Sequence, residues 1–167
     1  MKDLEWNKEH DPKTNGDELD RYEAELEIKI PPVLRDLWTS CSSWAPKRNG
    51  EEATFLLLPN PSGGAKNRIT LFYGFCSPTE DFAIDWLNEK FDIEPKRVLA
   101  FGFNGSSSIF LNYDNDPTGA NPEVWDSYME GATLTESWRL VASDIGTFFS
   151  NLKTKKEVME LGVSFPS

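Results

Sequence analysis

The chain predicts an α+β fold, with helices flanking a mixed, mostly antiparallel sheet in a single domain. Three observations carry this expectation. The 167 residues, 38% apolar and 13% aromatic with six Trp, eleven Phe and four Tyr, suffice for one aromatic-rich core and are too few for two comfortable ones. Helical spacing of apolar residues marks both ends. Between them lie short apolar runs bounded by turn residues, mostly in sequence, which argues for an antiparallel sheet.

The elements follow in order. Residues 1–16 are polar, interrupted by Pro12 and Gly16, and read as a loosely held tail whose Leu4 and Trp6 can dock back onto the domain. Asp17 to Glu27 reads as a helix capped by Asp17, with Leu19, Tyr22 and Leu26 on one face. Pro31 and Pro32 force an extended stretch, then open a second helix carrying Val33, Leu34, Leu37, Trp38 and Cys41. Ser42, Ser43 and residues 46–50 end it as a loop. Strands are expected at Thr54–Leu58 and Arg68–Phe75 around a loop at 59–65, and a helix at Thr79–Phe91. Val98–Phe103 and Ile109–Tyr113 read as a hairpin turning at Asn104–Ser107. Glu123–Tyr128 and Trp138–Val141 are the last strands. Ser143 or Asp144 then caps a short helix with Ile145, Phe148, Phe149 and Leu152, and a weaker helical piece ends near Leu161. The expected organisation is a tail at 1–16, the folded domain at 17–153 and a C-terminal extension at 154–167.

Charge narrows the function. Seventeen basic residues face 28 acidic ones, a net charge of −11. That balance disfavours nucleic-acid backbones and anionic membrane surfaces as direct partners. The start of the chain has neither the basic head nor the apolar stretch of a secretory signal, so a cytoplasmic location is expected. Cys41 and Cys76 read as separate buried thiols in that compartment.

Chemistry finds little support. His10 is the only histidine and lies in the tail, which argues against Ser–His–Asp and Cys–His catalysis. Asp114, Asp116 and Gly119 match the first, third and sixth positions of a calcium loop. Trp125, however, stands at the twelfth, where a bidentate Glu is needed. Gly63, Gly64 and Lys66 miss the phosphate-loop spacing. The carboxylate pairs Asp126/Glu130 and Asp81/Asp85 read as solvated faces. No catalytic residue, cofactor or metal ligand is assigned.

One stretch stands out. Between Arg97 and Arg139 there is no basic residue, while Asp114, Asp116, Glu123, Asp126, Glu130 and Glu136 interleave with Tyr113, Trp125, Tyr128 and Trp138. Acids around aromatics suit a solubilising rim over a core. They equally suit a face for a basic protein, with charge steering the encounter and aromatic rings anchoring it. The candidate partner-binding residues are Tyr113, Asp114, Asp116, Glu123, Trp125, Asp126 and Glu130.

Three blocks, in order, resemble the SUKH superfamily of Smi/Knr-type domains. Glu23 to Trp38 resembles its opening helix, Leu-Gly, aliphatic-Pro and following helix, with Glu27 where the family commonly has Gly. Val98 to Gly105 and Ile109 to Asp114 are similar to its strand, glycine turn and strand. Ala142 to Phe149 resembles its C-terminal helix, with Ile145 at a customary Phe position. The resemblance implies an α+β domain without catalytic residues. It further implies an immunity protein that binds and neutralises a cognate toxin with a basic surface, often a nuclease. The alternative it implies is a regulatory scaffold domain with a non-toxin protein partner. Oligomeric state is not readable from the residues.

Overall fold

The computed structural model describes residues 5–9, 14–41, 43–57, 66–68, 71–73, 97–103, 107–128 and 138–162. The expected helix at Thr79–Phe91, the turn at 104–106, Cys76 and Glu130 lie outside them. Element labels below count the described elements only.

Helix α1 (Gly16–Leu26) starts one residue earlier than expected, because Asn15 rather than Asp17 is its cap: Glu18 N donates to Asn15 Oδ1 at 2.8 Å. Asp17 and Glu18 occupy the first turn, where carboxylates favour the positive end of the helix. Leu19 and Tyr22 are buried, as the helical spacing requires. The helix ends at Glu27, which adopts a left-handed conformation (φ 54°). Pro32 then opens α2 (Pro32–Ser40), whose Leu34, Leu37 and Trp38 are buried. Glu23 points into this elbow. Its carboxylate accepts from Ile30 N at 2.7 Å and from Lys29 Nζ at 3.3 Å, and pairs with Arg35 at 3.4 Å.

The strands are β1 (Glu5–Glu9), β2 (Ser43–Arg48), β3 (Glu51–Glu52), β4 (Phe55–Leu57), β5 (Lys66–Arg68), β6 (Leu71–Tyr73), β7 (Val98–Phe103), β8 (Ser107–Asn112), β9 (Glu123–Tyr128) and β10 (Trp138–Ala142). The large sheet runs β1-β2-β6-β7-β8-β9-β10, with β3 also on β2, and β4-β5 form a second, small sheet. Every described pair is antiparallel. The expected strand at 68–75 therefore divides, β5 going to one sheet and β6 to the other.

Two differences concern segments read as loop or tail. Residues 43–48 form β2, which turns into β3 through Asn49 (φ 54°) and Gly50 (φ 81°). Both central residues have positive φ, the hairpin geometry whose twist matches the flanking strands. Within the tail, Glu5–Glu9 pairs with β2 over five residues. Trp6 holds it there, edge-on to Trp44 at 5.5 Å and to Phe149 at 5.1 Å. Lys8 Nζ also donates to Ser40 Oγ at 2.8 Å.

Two short helices close the chain. Asp144 caps α3 (Ile145–Asn151), accepting from Thr147 N at 2.8 Å. That bond, with a second from the Thr147 hydroxyl, holds the Asp144 carboxyl below its usual pKa. Phe148 and Phe149 are buried against Phe101 at 5.4 and 6.4 Å. Thr154 and Glu157 form a reciprocal capping box on α4 (Lys155–Glu160). Arg48 reaches across from β2 to Glu157 Oε1 (3.0 Å) and Ser150 O (3.2 Å). Burial opposes ionisation of Glu157, yet the Thr154 amide and Arg48 outweigh it and lower its pKa. Among the described residues no helix is long and apolar enough to cross a membrane.

Candidate partner-binding face

Strand β9 sits between β8 and β10, and its alternation sorts the candidate residues onto two faces. On one face Phe110, Trp125 and Leu140 stand opposite one another across three strands. Phe110 is buried, Trp125 half-buried, and Leu140 on the end strand is 53% exposed. This apolar row thus runs from the core out to solvent. Glu123 lies on the same face two residues from Trp125 and fixes the ring: Trp125 Nε1 donates to Glu123 Oε2 at 3.0 Å. Asn115 Nδ2 donates to the same oxygen at 2.9 Å, tying the adjoining loop to the strand.

The other face carries the row Ile109, Asp126, Arg139. Asp126 is wholly buried, and Arg139 donates to its Oδ2 from Nε at 2.8 Å and from a terminal nitrogen at 2.6 Å. Asp126 Oδ1 has no hydrogen-bond partner among the described residues. Asp126 gives up its hydration entirely in this pair while Arg139 keeps part of its own, so removing Arg139 leaves a buried charge.

The loop from Tyr113 to Pro122 is wired to itself and to the α1–α2 elbow. Asp116 accepts four bonds: Thr118 N (2.9 Å) and Oγ1 (2.6 Å) on Oδ1, Ala120 N (2.7 Å) and Asn121 N (2.6 Å) on Oδ2. These donors, the Thr118 hydroxyl foremost, lower the Asp116 pKa to about 2. Its oxygens are thereby occupied by the loop's own hydrogens, which accounts for the partial calcium-loop pattern as turn chemistry. Among the described residues no group of three or more His, Cys, Asp or Glu is placed to hold a metal ion. Asp114 is exposed and accepts from Arg97 N at 3.2 Å. The Arg97 guanidinium crosses to the end of α1, donating to Leu26 O (3.2 Å) and Glu27 O (2.5 Å), and to Asp116 O (3.4 Å) on the loop. Lys29 N donates to Gly119 O at 2.6 Å. Gly119 has φ +66°, and a Cβ there would collide with Glu27 O. Only glycine combines that conformation with that closeness.

The structure therefore separates the seven candidate residues. Glu123, Trp125, Asp114 and Asp116 come together at the end of the sheet and its adjoining loop. Tyr113 does not: it is wholly buried, its hydroxyl donates to Lys29 O at 3.0 Å, and burial, with Glu23 nearby, raises its pKa. Asp126 does not either, being spent on Arg139 inside the fold. Both are unavailable as surface contacts, because a partner cannot reach groups already enclosed. Glu130 lies outside the described residues. Leu140 was missed, since an apolar residue in an expected strand reads as core. Its place on the end strand is what exposes it.

Cys41 is a buried thiol whose Sγ–H donates to Leu37 O at 3.2 Å, and burial raises its pKa. A protonated, enclosed thiol is poorly suited to nucleophilic work. A comparison with curated proteins finds no match to this chain. The family comparison matches residues 13–151, from just before α1 to the end of α3, and the chain belongs to the SMI1 / KNR4 family (SUKH-1).

Proposed function

We propose that the chain is a cytoplasmic immunity protein that neutralises a cognate bacterial toxin by stoichiometric binding, with no bond made or broken on it. The observation that carries the reading is the Phe110–Trp125–Leu140 row emerging at an acid-rimmed sheet end. Protein interfaces draw their energy from a few rigid aromatic and aliphatic anchors ringed by polar groups. Here Glu123 locks the indole, and Asp114 and Asp116 stand on a loop held in one shape. The net charge of −11 suits a basic partner surface, such as the substrate groove of a nuclease.

The test is co-expression with the neighbouring reading frame, scoring growth rescue and co-purification together. Binding is expected to slow markedly as salt rises, since exposed charges are screened over about 8 Å at physiological ionic strength. Asp114→Lys should act on association and Trp125→Ala on dissociation. A second reading, a regulatory scaffold domain bound to a non-toxin protein, draws on the breadth of the family. It gains if the complex forms with a protein that is harmless when expressed alone.

A further inference from the structure

The opposite end of the sheet carries a different kind of surface. Strand β1 lies before residues 13–151, the part of the chain that the family comparison matches. Its hold includes five paired residues on β2, one half-buried indole against Trp44 and Phe149, and the bond from Lys8 to Ser40. Beneath it lie an edge of β2 that no other described strand pairs and two aromatic rings that are almost wholly buried. These features make a groove that reads an extended segment by its backbone and by an aromatic residue two positions before a cation. The chain itself carries one segment of that description at its own beginning.

We propose that the β2 groove accepts β1 from a second copy of the chain, giving a reciprocally exchanged dimer. Every contact of the closed chain is reproduced in the exchanged one, so only the connection to α1 and concentration separate the two forms. A strand tethered by a short connection competes at millimolar effective concentration. Exchange therefore belongs to concentrated samples, and to high salt, which screens the repulsion between two acidic chains.

The experiment uses two full-length single variants, Glu5→Cys and Lys47→Cys, because positions 5 and 47 face each other in the ladder. They are mixed at about 1 mM in high salt, diluted and oxidised, and the disulfide-linked products are sorted by mass. Products formed by the wild-type chain, which carries Cys41 and Cys76, are subtracted. The mixed product is expected at about fivefold or more above either homodimer, and to fall to the statistical proportion, about twice either homodimer, when Trp6→Ala is added to the Glu5→Cys chain. Mixed and homodimeric products in statistical proportion, or a mixed product indifferent to Trp6→Ala, would overturn the proposal.

Discussion

The two ends of the large sheet are fastened by different physics. At one end β1 is held by aromatic packing, with Trp6 edge-on to both Trp44 and Phe149, which also touch each other. At the other end β10 is held on its inner face by Arg139 on the buried Asp126, and its outer face leaves Leu140 bare. Where the apolar residue does the fastening, little of it is left for a partner. Where an ion pair does the fastening, the apolar residue is spare. That division is why the candidate face lies at the β10 end.

The largest expected effect breaks the ion-paired end. Arg139→Ala strands the Asp126 carboxylate inside the fold and should cost about 3–5 kcal/mol, measured by urea unfolding. A cost under about 1 kcal/mol would mean that the pair is not what secures β10. Next comes the aromatic end. Trp6→Ala removes a half-buried ring and should cost about 2 kcal/mol, below the range for a fully buried one. If it exceeded Arg139→Ala, the contrast between the two ends would be reversed.

Smaller effects sharpen the same contrast. Leu140→Lys should leave stability within about 0.5 kcal/mol, since the side chain already faces water. In a complex with the partner it should speed dissociation by about tenfold. A large loss of stability would return Leu140 to the core. The smallest effect is local. Because the folded pKa of Asp116 is depressed to about 2, its contribution is present above the ordinary carboxylate range and is lost as pH falls toward 2. Amide exchange at Ala120 and Asn121 should accelerate over that window.

Much of the architecture was legible from local chemistry. The bounds of β7 and β9 match the apolar runs, and Pro31–Pro32 marks the elbow into α2. β1 was not legible as a strand, because Glu-Trp-Asn-Lys-Glu offers one apolar residue and its pairing partner lies 40 positions away at Pro46. β2 was hidden by Pro46, although Asn49-Gly50 is a hairpin signal in its own right. For the candidate face, composition located the stretch and could not orient it. Period-two alternation along β9 already places Trp125 and Asp126 on opposite faces, so that signal was present. Arg139 read as the boundary of an acidic stretch, when across the ladder it neutralises one of the acids. The burial of Tyr113 depends on the elbow folding over it, which neighbouring residues do not reveal.

The junction between elbow and loop has a consequence for how such a domain can change its partner. Glu27, Arg97, Asp116 and Gly119 form the frame, and apart from the bond from the Thr118 hydroxyl to Asp116 the bonds described above involve main-chain atoms, so most of the frame is fixed by shape rather than by its neighbours' identity. Pro117, Ala120 and Asn121 are exposed on that frame, and the bonds of Ala120 and Asn121 to Asp116 come from their main-chain nitrogens. Outward positions on a rigid bracket can be exchanged one by one, altering what is recognised while the scaffold's geometry is inherited unchanged.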